Sequence, residues 1–157
     1  MKYSQYKFKF YLNANHAIYL GGVLGQNHPH TWEISLDTLK FNDDFVQFDY
    51  IEKAIEDFFA KYQDVDINKV EPFTVINPTL ENMCEFFKNE LGKLLDSHGW
   101  LLTKIEVSET PARAYIIDCS DEIEKMLSKE IEASEVSESI GGTADEVLDA
   151  ILGSKKA

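Results

Sequence analysis

Two ways of spacing apolar residues divide the first 119 positions of the chain. Residues 5–16 alternate with a period of two: Phe8, Phe10, Leu12, Ala14 and His16 share one face, and Lys7, Lys9, Tyr11, Asn13 and Asn15 share the other. That is the pattern of a strand with one buried face. Residues 28–36 repeat it, with His28, His30, Trp32, Ile34 and Leu36 on one side. Between them, residues 17–27 read AIYLGGVLGQN, and the glycines predict a loop. From Asp49 the period lengthens: Ile51, Ala54, Ile55, Phe58, Phe59 and Tyr62 form a helical stripe. A turn-rich stretch, QDVDINKVEPF, follows. Asn77-Pro78 then predicts the start of a second helix, with Asn77 as N-cap and Pro78 as the first helical residue. Its stripe is Leu80, Met83, Cys84, Phe87, Leu91, Leu94 and Leu95, and Gly99 ends it. Residues 101–109 predict a strand with Leu101, Thr103, Ile105, Val107 and Glu109 on one face. Residues 112–119 predict the last strand, after a turn at Thr110-Pro111. The order ββααββ predicts an α+β fold: a four-stranded antiparallel sheet with both helices on one face.

Length and composition agree with one packed domain: 157 residues, 44% hydrophobic and 12% aromatic, which excludes global disorder. No apolar run approaches the roughly 20 residues that span a bilayer. The N-terminal MKYSQYKFKFYL alternates charge with aromatics, unlike the apolar centre of a signal peptide. Two cysteines, Cys84 and Cys119, make no disulfide framework, so the expected location is the reducing cytoplasm. The net charge of −13 argues against binding nucleic acid or an anionic membrane. That charge is uneven. Residues 120–157 hold 10 acidic and 4 basic side chains and no aromatic residue. We therefore expect a globular domain over 1–119 and an acidic extension over 120–157. Ile123, Met126, Leu127 and Ile131, and then Val147, Leu148, Ile151 and Leu152, have helical spacing on either side of Gly141-Gly142. The extension reads as a partly helical or disordered solvated tail, or as a docking helix for a protein partner.

Histidines carry the first chemical signal. His28 and His30 are two apart on a strand, so both rings project to one side. His16 ends the neighbouring strand with the parity of that strand's apolar residues. Three neutral imidazoles converging from a hairpin suit Zn²⁺, although an H-x-H pair also occurs by chance on strands. His98 precedes Gly99 at a helix end, where it fits a partner for the helix dipole. The second signal is Glu109, which closes an otherwise apolar face. Either it turns to solvent, or it is a carboxylate that grips a flat heterocycle through paired N–H donors. Cys84 lies in a helical apolar stripe and reads as core.

Together these pieces resemble the family of 6-pyruvoyl-tetrahydropterin synthases and 6-carboxytetrahydropterin synthases of the queuosine pathway. F-x-x-N-A-N-H followed by N-H-P-H-T-W is similar to the family's F-x-A-x-H … H-G-H-x-Y zinc signature. Val46–Tyr50 looks like its V-x-D-F segment, Asn77–Asn82 like its N-P-T-x-E-N helix start, and Val107–Pro111 like its V-x-E-T-P strand end. The resemblance covers residues 5–117. It implies the T-fold, or tunnelling fold, in which subunits join sheets edge to edge as homotrimers or homohexamers. It implies zinc held by His16, His28 and His30, a pterin anchored by Glu109, and supporting contacts from Thr79 and Thr110 in pockets between subunits.

The departures from the pattern shape the functional expectation. Where the family carries its catalytic cysteine this chain has Leu24, and the loop 21–27 holds no cysteine or glutamate; Gln26 cannot act as a base. Gln63 and Asp64 stand where the family has its Asp-His pair. Pro29 replaces the glycine of H-G-H. Arg113 is the only arginine, sparse provision for a triphosphate substrate. The expectation is a zinc- and pterin-binding protein whose usual lyase activity is altered or lost. The alternative is an active zinc-dependent lyase on dihydroneopterin triphosphate or a related pterin, with Asp64 as substitute base.

Overall fold

The computed structural model describes residues 4–40 and 45–140, without the side chains of Leu127 and 135–140. The chain divides into two compact units at the 119/120 boundary. In the first, β1 (Ser4–His16), β4 (His28–Lys40), β5 (Trp100–Thr110) and β6 (Arg113–Asp118) form one antiparallel sheet in that order. Helices α1 (Phe48–Phe59) and α2 (Leu80–Ser97) pack on one face of it. Among the described residues no helix is long and apolar enough to cross a membrane.

The alternating pattern places the core. Phe8, Leu12, Trp32, Ile34 and Leu36 point from β1 and β4 toward the helices and are buried. They meet Ile51, Ile55 and Phe59 of α1 and Met83, Cys84, Phe87, Leu91 and Leu95 of α2. Tyr62 lies beyond the end of α1 yet stays in this core, edge-on to Phe73 and Phe86. The opposite sheet face is charged. Asp37 on β4 takes Lys7 from β1 at 3.2 Å and Lys104 from β5 at 2.8 Å, and Lys9 pairs with Glu33 at 3.0 Å. Lys7 and Lys9 therefore face away from the histidines.

Four expectations change. Residues 17–27 contain a short hairpin, β2 (Tyr19–Leu20) with β3 (Val23–Leu24), turning at Gly21 and Gly22 with φ of 57° and 82°. Positive φ at both turn positions is the geometry that favours glycine. Second, α2 starts at Leu80, and its N-cap is Thr79, whose Oγ1 accepts from the Asn82 amide at 3.2 Å. Asn77 is not the cap: its side chain holds both polar groups of the Tyr19 backbone at 2.9 Å. Third, β5 does not keep one face throughout. Asp37 pairs with Lys104 and Thr38 with Leu102, so Thr103 is an extra residue in a bulge. The bulge puts Trp100 and Leu102 in the core with Ile105 and Val107, in place of Leu101 and Thr103.

Fourth, the second unit begins with a single helix, α3 (Ser120–Ile140). It takes in the predicted first helical segment and runs past it. The predicted second segment, with Gly141-Gly142 before it, lies outside the described residues.

Candidate metal centre and its surroundings

The core face of the sheet ends in polar groups. Where β1 and β4 finish, His16 pairs in register with His28, and Ala14 with His30. Strand parity turns all three rings to the helix side, as the sequence predicted. Their ring centroids lie 4.7–5.1 Å apart. One nitrogen from each ring lies within 4.8 Å of the others, a set that can hold a metal ion.

The backbone fixes which nitrogens are offered. His16 Nδ1 lies 2.8 Å from the Pro78 carbonyl, and His28 Nδ1 lies 2.9 Å from the Gln26 carbonyl. A carbonyl only accepts, so each Nδ1 carries the ring proton and donates it. The backbone and carboxylate of Glu109 lie near the His30 ring and favour its charged form. Backbone carbonyls thus set tautomer and orientation, the role outer partners play around metal-bound histidines. Each remaining Nε2 of His16 and His28 bears a lone pair, and these two atoms face each other at 3.2 Å. Two acceptors at that distance repel unless a cation lies between them. Nitrogens bound about 2.0–2.1 Å from a tetrahedral ion stand about 3.3 Å apart, so the spacing fits.

Electrostatics favour the neutral imidazole at His16 and His30. Burial is the main cause that pushes His16 below its ordinary value, with His28 and His30 adding and the Pro78 carbonyl opposing. Burial also lowers His30, helped by His28 and Arg113 and opposed by Glu109. Neutral imidazole is the ligating form. Trp32, fully buried, lies edge-on to His16 and His30 with ring centroids at 5.0 and 5.2 Å, and its indole N–H has no hydrogen-bond partner among the described residues.

Two loops hold the chain as it leaves His16. Asn68 grips both polar groups of the Ala17 backbone at 2.8 Å, and Asn77 does the same for Tyr19. The first comes from the short 3₁₀ turn Ile67–Lys69 after α1, the second from the approach to α2. Sequence reasoning gave Asn68 no role and misplaced that of Asn77. The usable signal was two asparagines in the turn-rich segment between α1 and α2, since a side-chain amide matches a backbone peptide as donor and acceptor.

Glu109 sits beside this cluster. Ser108 pairs with Ala114 and Thr110 with Arg113, so Glu109 is the extra residue of a second bulge in β5. Its side chain is 8% exposed, and its Oε1 accepts from Arg113 Nε at 2.8 Å and from Arg113 Nη2. Thr79 caps α2, and Thr110 Oγ1 accepts from the Ala112 amide at 3.3 Å in the β5–β6 turn. Asp64 has φ of 58° and lines a cavity of about 550 Å³ with His30, Asn13, Thr31 and Asp66. The left-handed region is one that aspartate tolerates better than most residues. Gln63 is structural: its Oε1 accepts from the Asn13 amide at 3.2 Å. Leu24 lies on β3, half exposed. Cys84 is core, with its thiol pushed up to about 12 chiefly by burial. His98 caps the C-terminus of α2, its Nδ1 donating to the Leu94 carbonyl at 2.8 Å.

Residues 5–119 match the family model for 6-pyruvoyl tetrahydropterin synthase. No curated protein sequence matches the chain. Among solved structures it is similar to 6-pyruvoyl tetrahydropterin synthase from Caenorhabditis elegans, with a TM-score of 0.64 at 14% identity, covering 75% of this chain and 96% of that one. The enzyme from Plasmodium falciparum gives 0.55 at 14% identity, over 73% and 96%. An uncharacterised protein from Wolinella succinogenes gives 0.58 at 12% identity, over 75% and 99%. At such identities these structures speak to the fold, which is the T-fold.

Proposed function

We propose, for a chain that belongs to the 6-pyruvoyl tetrahydropterin synthase family, that the histidine cluster holds zinc and that Glu109 anchors a pterin beside it. The observation that carries the reading is the pair of unprotonated Nε2 atoms facing each other at 3.2 Å, with the Glu109 carboxylate near the third ring. Bound zinc would supply Lewis acidity at the ligand's side chain. The protein's own part is to orient it. Pro78 and Gln26 keep the ring protons on the outer nitrogens. Asn68 and Asn77 keep the first ligand's loop in place. The Glu109 carboxylate accepts the two adjacent N–H groups of a 2-amino-4-oxo edge.

The groups that would move protons in the family's lyase are absent from their positions. Leu24 can neither take nor give a proton, and Gln63 is committed to the Asn13 amide. We infer a ligand-binding member with lyase activity altered or lost, acting as a homotrimer or homohexamer in the cytoplasm. Calorimetry with a panel of pterins tests the anchor: Glu109→Gln should weaken binding about tenfold to hundredfold, the loss expected for a charged hydrogen bond. Equal affinity in the two proteins removes Glu109 from the site. One observation favours a second reading, an active lyase: Asp64 shares a cavity with His30. If wild type turns over dihydroneopterin triphosphate at about 1 per second or faster and Asp64→Asn abolishes it, the second reading replaces the first.

A further inference from the structure

Glu109 already has an occupant. We propose that Arg113 fills the place on Glu109 that a flat N–H-bearing ligand takes, so that only ligands able to displace this internal guanidinium enter the pocket. The inference rests on the reading of Glu109 as ligand anchor.

Geometry and composition both point to it. Alternation after Ile105 and Val107 turns the Glu109 carboxylate inward, where it is 8% exposed. The tight turn at Pro111-Ala112 returns the chain four residues later with Arg113 beside it. Arg113 donates Nε–H at 2.8 Å and an Nη2–H to Oε1. These are two neighbouring N–H groups on one rigid plane, and the edge of a 2-amino-4-oxo pyrimidine has the same arrangement. The carboxylate cannot hold both in the same place. A buried carboxylate without a partner is costly, so the pair persists while no ligand is present. The Arg113 side chain is itself 66% exposed, so it can leave without opening the core. Arg113 is also the chain's only arginine; lysines are plentiful, but an ammonium cannot present two coplanar N–H groups. Arg113 is therefore a specificity-determining residue that sets the threshold for occupancy.

The test is calorimetry of pterin (2-amino-4-oxopteridine) and of methylguanidinium against wild type, Arg113→Ala and the double variant Arg113→Ala with Glu109→Gln. Pterin should bind Arg113→Ala at least about tenfold more tightly than wild type, the change expected when one charged competitor is removed. The gain should vanish in the double variant. Methylguanidinium should bind Arg113→Ala alone, taking the place of the missing side chain. Should Arg113→Ala fail to fold, Arg113→Lys replaces it, with a smaller gain of the same sign. Pterin binding that is unchanged or weaker in the Arg113 variant overturns the inference and leaves the anchor reading standing. Glu109-dependent binding of methylguanidinium with no pterin binding to any protein keeps Arg113 in its place and sinks the pterin reading. Methylguanidinium binding to none of the three overturns the inference outright.

Discussion

The Nδ1–H of His16 donates to the carbonyl of Pro78 across 2.8 Å, tying the end of β1 to the start of α2. That carbonyl is free because α2 begins two residues later, at Leu80. Had Pro78 been the first helical residue, its carbonyl would have been drawn into the helix ladder. The start of the helix and the tautomer of a ring in the candidate metal centre are therefore one arrangement.

Metal content follows from the histidine geometry. The purified protein should hold about one zinc per chain by elemental analysis, and His28→Ala should lose it. Adding zinc to stripped protein should raise Tm, by mass action on the folded state. Unchanged zinc content in His28→Ala places the metal elsewhere.

Cys84 gives a pH signature. Its thiol is held at about 12 against an ordinary value of 9.0, chiefly by burial. A group raised on folding contributes stability that is full below the unfolded value and is lost as pH rises through the folded one. Urea midpoints should therefore fall between about pH 9 and 12, with a shallower fall in Cys84→Ala. Ellman's reagent should leave Cys84 untouched in the native protein at pH 8.

Thr79→Ala should cost about 1 kcal/mol in urea unfolding, the loss of an N-cap. Asn77→Ala should leave the start of α2 intact and instead speed amide exchange at Tyr19, whose N–H it accepts. The reverse pattern would restore Asn77 as the cap.

Assembly is expected from the sheet's edges. β1 and β6 are its outer strands, and such edges tend to be covered or paired. Sedimentation at micromolar concentration should show a trimer or hexamer; a monomer counts against a pocket shared between subunits.

Much of this was legible in the sequence, for a physical reason. Period-two alternation fixes side-chain parity, so His16, His28 and His30 were placed together without knowledge of the turn between them. The bulges at Thr103 and Glu109 were not legible, because an extra residue leaves both flanking patterns intact. Glu109 kept its inward position, yet its partner Arg113 lay across a bulged turn. The roles of Asn68 and Asn77 were hidden because each grips a segment more than 50 positions away. Their contacts are long-range, whereas cap preferences are local.

The loop after α1 has one more consequence. Asp64 donates its amide to the Asn13 carbonyl at 2.7 Å, Asn15 donates to Val65 at 2.9 Å, and Asn15 and Asp66 form a parallel bridge. The loop thus uses up the outer edge of β1 at its histidine end. A strand added from another chain must stop short of Asn13 and use the stretch 5–11. β6 is six residues long, so it fits that seven-residue opening in few registers. In the assembly proposed above the loop would act as a doorstop: it would set the stagger between adjoining sheets, and with it the tilt at which a ring of such sheets can close.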